Sequence, residues 1–158
     1  MADLPFMALL EEPVAAAIFY IFQGHLQKHG VYFVYDFGGG TFDVTVISYN
    51  NQGIYVLAKD GLTDTGGKEL DESIMTRILQ VMKEEIPGIE PTSWDLLQLR
   101  KEAEKIKILL SEPDTYFLYR QISVNTWQRN MLFNRLEFES SIRPQVLKTL
   151  EASRRCLR

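Results

Sequence analysis

Asp36 is followed by three consecutive glycines, Gly38, Gly39 and Gly40, and these by Thr41 and Asp43, all within the run VYFVYDFGGGTFDVTVI from Val31 to Ile47. Glycines lack a Cβ, so they can take positive φ angles and aim successive N–H groups at one spot, forming an anion-binding concavity. Thr41 adds a hydroxyl donor, and the neighbouring acids suit a hydrated cation that accompanies a phosphate. Such a set could bind phosphate, or support phosphoryl transfer with a divalent metal offsetting charge on the phosphate oxygens. A glycine-rich hairpin with no ligand is the other reading of the same residues.

Two familiar phosphate motifs do not fit. A dinucleotide fingerprint needs G-x-G-x-x-G between a strand and a helix, whereas Gly40 leads through Thr41, Phe42 and Asp43 into a second strand. A P-loop needs G-x-x-x-x-G-K-[ST]; Gly66, Gly67 and Lys68 satisfy its middle, but Gly61 is one residue too distant and Glu69 replaces the hydroxyl. Glu104, Lys107 and Ser111 stand at i, i+3 and i+7, which places them on one helix face where they could grip one ligand. Taken alone, they read as an exposed helix with an intrahelical ion pair and a terminal serine. The rest of the charged stretch from Arg100 to Lys107 is expected to be a solvated face. His25 and His29 are four apart and could share a helix face, but no H-E-x-x-H pattern or third ligand accompanies them. Trp94 and Trp127 are expected to fill core, since no basic groove accompanies them for base stacking.

These residues must be held by elements that the pattern also predicts. Phe6 to Leu10 reads as a short strand, and Pro13 opens a helix that continues through Ala15 to Phe22, with Gly24 and Gly30 bracketing its end. Val31 to Tyr35 is almost wholly apolar, as suits a strand covered on both faces. After the glycine turn, Thr41, Asp43, Thr45 and Ile47 alternate with Phe42, Val44 and Val46, predicting an antiparallel partner strand. Asn50, Asn51 and Gly53 turn the chain into a third strand, Ile54 to Lys59, completing a meander. Gly66 and Gly67 break the sheet. Leu70, Ile74, Ile78, Leu79 and Met82 then recur at helical spacing up to Pro87 and Gly88. Thr92 and Asp95 form a capping-box pattern for a second helix, with Leu96, Leu99, Ala103, Ile106 and Leu110 as its apolar positions and an end before Pro113. Phe117 to Val124 predicts a strand that Leu132 and Phe133 pair with. Asn134 and Glu137 then cap a last helix toward Arg155, irregular near Pro144.

Four ordered segments give the chain a resemblance to the DnaK-like, seventy-kilodalton heat-shock chaperones, within the actin-like ATPase superfamily. Glu11 to Ala17 (EEPVAAA) resembles the EPTAAA crossover element, with Val14 for threonine. Asp36 to Asp43 (DFGGGTFD) is similar to the second phosphate motif DLGGGTFD. Gly61 to Asp71 (GLTDTGGKELD) resembles GDTHLGGEDFD but departs at Leu62, Asp64, Thr65, Lys68 and Glu69. Glu104 to Ser111 is similar to the E-x-x-K-x-x-x-S helix that holds adenosine. The resemblance implies an α/β fold: an actin-like (ribonuclease H-like) lobe with a mixed sheet and an inserted α+β subdomain. It implies residues 1–30 as the end of a first lobe with the crossover helix, and 31–65 as a second-lobe meander. Residues 66–143 would be the inserted subdomain and 144–158 the start of a return helix. The first phosphate loop, the strand lysine, the later adenosine loop and the peptide-binding domain have no counterpart here, so the chain resembles one wall of a two-lobed cleft.

By that resemblance the cofactors are ATP or ADP and Mg²⁺. Asp36 would hold Mg²⁺ through its waters, a role suited to a hard cation's preference for oxygen. Glu12, more than Glu11, would orient the attacking water or another metal-bound water. Gly38, Gly39, Gly40 and Thr41 would meet the β and γ phosphates, and Gly66 and Gly67 would border the same cleft. Glu104 and Lys107 would meet ribose hydroxyls and Ser111 the purine edge. The resemblance also implies unfolded polypeptide clients and co-chaperones as partners, a role in the stress response and a cytoplasmic location. The chain alone is expected to turn over little ATP, and its uncovered sheet to self-associate. A non-catalytic actin-like interaction or regulatory module is the alternative.

Composition is compatible with this. Hydrophobic residues make up 46% and charged residues 24%, and the net charge of −4 gives no electrostatic footprint for nucleic acid or an anionic membrane. The longest apolar stretch, Val14 to Phe22, falls well short of the ~20 residues of a spanning helix, and the amino terminus shows no secretory-signal pattern. Cys156 is the single cysteine, which rules out an internal disulfide or a C-x-x-C motif and points to a reducing compartment.

Overall fold

Pro13 lies in the first turn of helix α1, Glu12–Phe22, where its missing N–H leaves no intrahelical bond unmade. The computed structural model describes residues 10–25 and 29–158. The expected Phe6 to Leu10 strand falls almost wholly outside them, and Leu10 itself is not in a strand. Helix α1 ends where Gly24 takes a left-handed φ of 74° and donates to the Ile21 carbonyl. His25 and His29 therefore lie beyond it and share no helix face; the His29 ring stacks on Tyr49.

The chain divides into two units, Met1–Thr63 with Thr149–Arg158, and Asp64–Lys148. In the first, strands β1 (Gly30–Phe37), β2 (Thr41–Asn50) and β3 (Gly53–Thr63) form an antiparallel meander in the order β1-β2-β3. A mixed sheet needs a strand parallel to one of these, and none is present among the described residues. One face carries Phe42, Val44 and Val46 against Ala152 and Cys156 of the last helix, with Phe37, Ala58 and Leu62 around them. Helix α1 packs on β1 and β2, and Thr45 and Ile47 of β2 are buried as well. The Tyr35 hydroxyl and the Thr149 hydroxyl lie 2.6 Å apart.

Two expectations change here. Val31 to Tyr35 is not covered on both faces: Val31 and Phe33 are 64% and 42% exposed. The helix residues that shield this face sit over Phe42, Val44 and Val46, and among the described residues β1 is an outer strand of the sheet. The third strand runs on past Lys59 to Thr63, with a bulge: Val46 pairs with Ala58 but Ile47 with Val56, leaving Leu57 as the extra residue.

In the second unit, helices α2 (Gly67–Glu85) and α3 (Ser93–Ser111) pack on a hairpin of β4 (Phe117–Val124) and β5 (Trp127–Asn134). Ile74, Ile78 and Met82 of α2 meet Leu99, Ala103, Ile106 and Leu110 of α3, with Ile122, Trp127 and Phe133 from the strands. The capping box is present in full: Asp95 N donates to Thr92 Oγ1 at 3.2 Å, and Thr92 N donates to Asp95 Oδ2 at 2.9 Å. Trp127 is buried, its indole N–H donating to Glu85 at 2.8 Å, but Trp94 is 67% exposed on the first turn of α3 and fills no core. The second strand is far longer than Leu132 to Phe133, because Gln128, Arg129 and Asn130 are solvent-facing and carry no apolar signal.

Helix α4, Arg135–Cys156, continues through Pro144 rather than breaking there. Asn134 Oδ1 accepts from Leu136 N at 2.8 Å, while Glu137, its expected capping partner, accepts from Arg77 at 2.6 Å.

Candidate functional site

The β1–β2 hairpin closes with Gly38 N donating to Thr41 O at 2.9 Å, and its register sets Asp36 opposite Asp43. Asp43 in turn faces Gly61 on β3. A Cβ at Gly61 would lie 2.9 Å from Asp43 Oδ1 and 3.1 Å from the Phe42 carbonyl, so a larger residue there would displace that carboxylate and crowd the neighbouring strand.

None of Gly38, Gly39 or Gly40 has a positive φ, so the freedom that glycine allows is not used in this turn; among the described residues the glycines with positive φ are Gly24, Gly53 and Gly88. The hairpin closes without left-handed residues, so what glycine supplies here is lack of bulk. A Cβ at Gly38 would come 3.2 Å from Thr41 O, whereas one at Gly39 would meet nothing within 4 Å.

Glu12 at the start of α1 and Asp36 near the end of β1 line one cleft of about 740 Å³. Glu11, Pro13, Asp43, Thr45, Lys59, Asp60 and Gly61 complete its lining. Lys59 Nζ lies 3.6 Å from Glu11 Oε2, an exposed pair. Asp60 accepts from Arg155 Nε at 2.8 Å and from the Gly61 N–H at 2.8 Å; these two bonds hold its carboxyl below the ordinary value of 3.8. Five carboxylates against one lysine make the cleft acidic, so a polyphosphate would enter only with a cation. Among the described residues no three His, Cys, Asp or Glu side chains are grouped to ligate a metal directly. That donor set fits a magnesium ion that keeps its waters and meets carboxylates through them.

Asp43, Lys59, Asp60 and Gly61 were not legible as lining residues. Asp43 had a signal, since a symmetric hairpin around the glycines pairs it with Asp36; Lys59 and Asp60 had none, because β3 reaches the cleft through a register that its bulge shifts.

The second unit holds the other candidates. Gly66 is the N-cap of α2 in an extended conformation, with no side chain capping it, and Glu69 lies in the first turn. Lys107 of α3 reaches the start of α2: its Nζ donates to Gly67 O at 3.3 Å and stands 2.7 Å from Asp71 Oδ1. The latter is a charge contact, since that oxygen has no aligned hydrogen bond. Lys107 and Gly67 are thus together, whereas Ser111 donates back to the Lys107 carbonyl at 2.9 Å and Glu104 is exposed. The intrahelical pair open to Lys107 is not made; its partner is on α2. Leu62, a point of departure in the third segment, packs into the apolar cluster with Phe42.

No helix among the described residues is long and apolar enough to cross a membrane. A family model described as Hsp70 protein matches residues 1–158. Curated relatives include Chaperone protein HscA of Photorhabdus laumondii, 38% identical over 100% of this chain, and that of Buchnera aphidicola, 36% identical over 95%. A Chaperone protein HscA homolog of Photobacterium profundum is 35% identical over 100%. The chain spans 24%, 28% and 24% of the lengths of these three, about a quarter.

Proposed function

The chain belongs to the Hsp70 protein family, and on that premise we propose that it supplies one wall of an adenine-nucleotide site in a chaperone ATPase. In this reading residues 66–143 are a subdomain inserted into the lobe that carries the phosphate loop. The observation that carries it is the shared cleft: Glu12 and Asp36, distant in sequence, line one acidic crevice, and Asp36 with Asp43 flanks the glycine turn in the hairpin register.

Asp36 and Glu12 would hold a magnesium ion through its waters, and Gly38, Gly39, Gly40 and Thr41 would donate to the β and γ phosphates. Gly66 and Gly67 would border the nucleotide, and Glu104, Lys107 and Ser111 would meet the nucleoside. Bound magnesium would offset charge on the phosphate oxygens; the chain's own part is to position that ion and to exclude misaligned water. The acidic lining explains why the metal is needed, since the phosphates alone would be repelled. Turnover needs the terminal phosphate clamped from both sides, so this chain by itself should hydrolyse little ATP. Polypeptide clients, co-chaperones and a cytoplasmic setting belong to the same proposal.

Isothermal titration of the folded chain with ADP, with and without Mg²⁺, tests the reading. Metal-dependent heat supports it. A flat trace in both favours the second reading, an interaction module without nucleotide chemistry, for which the packing of a partly buried Leu62 against the apolar cluster, in a segment whose family counterpart has an aspartate, is the motivating observation.

A further inference from the structure

The structure assigns to Asp71 the task of positioning Lys107: a buried carboxylate on α2 and the Gly67 carbonyl fix the ammonium so that donor capacity remains for a ribose hydroxyl. This rests on the adenine-nucleotide reading, in which Lys107 meets the sugar. Asp71 is only 6% exposed and nothing in that reading uses it.

The geometry is asymmetric in a useful way. An ammonium has three donors and no acceptor. One donates to Gly67 O at 3.3 Å, while the ammonium as a whole stands 2.7 Å from Asp71 Oδ1 in a charge contact, so donor capacity remains for a further acceptor. The Lys107 side chain is 19% exposed and that of Asp71 8%, so the pair is largely out of water, where a lone lysine charge would be costly. Without Asp71 a flexible four-carbon stem would carry its charge outward to solvent. Both contacts come from the first turns of α2, so the element that begins at Gly66 and Gly67 also sets the reach of α3. An anion is a poor fit at this helix start, because Glu69 and Asp71 already lie there; a neutral hydroxyl suits it better.

The test compares titrations of the folded chain with ADP, 2′-deoxy-ADP and 3′-deoxy-ADP in Mg²⁺. Wild type should bind one deoxy analogue about tenfold more weakly than ADP, as loss of a hydrogen bond to a charged group implies. Asp71→Asn, which keeps an oxygen for Lys107 but not the charge, should weaken ADP and bring the ratio of the two affinities near one. A purely structural role would weaken all three nucleotides equally and leave the ratio unchanged, overturning the inference. Should Asp71→Asn fail to fold, Asp71→Leu combined with Lys107→Met replaces the pair by apolar groups; retained discrimination in that variant also overturns it. In ¹⁵N-lysine spectra the Lys107 ammonium should be protected from exchange in wild type and not in Asp71→Asn, a readout independent of nucleotide. A flat ADP titration of wild type sinks the nucleotide reading and this one together, whereas ADP binding without sugar discrimination sinks this one alone.

Discussion

Gly39 can accept a methyl group without touching any neighbour, and its φ is not left-handed, so Gly39→Ala should change stability by no more than about 0.5 kcal/mol. If its backbone faces a phosphate, the same methyl should abolish Mg²⁺–ADP heat; an unchanged titration with an unchanged melting curve would remove the glycine turn from the site. Asp36→Asn keeps shape and removes charge, and should weaken the metal-dependent part of nucleotide binding about ten- to a hundredfold. Asp60 gives a pH signature. Its folded carboxyl is held below 3.8 by Arg155 and the Gly61 N–H, so the unfolded chain binds the proton more readily. Its stabilising contribution is complete above about pH 5 and is lost as pH falls through the folded value. Asp60→Asn should therefore flatten the acid side of a melting-temperature profile while leaving its slope near neutrality unchanged. At this scale the sequence displayed residue types well and surroundings poorly. Asp36 and Glu12 stood out by motif, but that Lys107 would face Asp71 rather than Glu104 depends on a helix pairing that spacing along one helix does not contain.

Elements with complete local signals came out where the pattern put them. The Thr92 and Asp95 box fixes the start of α3, and Thr92→Ala should cost about 1 kcal/mol, read as a lower denaturation midpoint with an unchanged slope. Helix α2 is equally plain, from the spacing of Ile74, Ile78 and Met82 to the stop at Gly88 with φ 85°. Strands were harder. Strand β5 hid behind Gln128, Arg129 and Asn130, and β3 changes frame at Leu57, so a strict two-residue alternation loses the strand halfway. Pro144 signalled a disturbance in α4 that does not break it; a helix anchored at both ends by packing tolerates the missing hydrogen bond.

For the whole molecule, the division at Thr63 and Lys148 matters most. Residues 64–148 own an apolar core built from α2, α3 and the β4–β5 hairpin, and should unfold cooperatively when expressed alone. Loss of a sharp transition in that piece would contradict a separate core. Among the described residues, the first unit shows Val31, Phe33, Tyr55 and Leu57 to solvent from its two outer strands, with Phe19 and Phe22 exposed on α1. Light scattering should find an apparent mass that rises with concentration, and Phe33→Lys should suppress the rise. The two margins of that sheet are unlike, however. The β1 margin pairs with its neighbour without interruption, while the β3 margin is kinked at Leu57, which spoils a regular docking ladder. Copies that meet margin to margin thus have one serviceable side each, and a two-fold pair uses up both, so growth should halt at dimers instead of running on into fibrils.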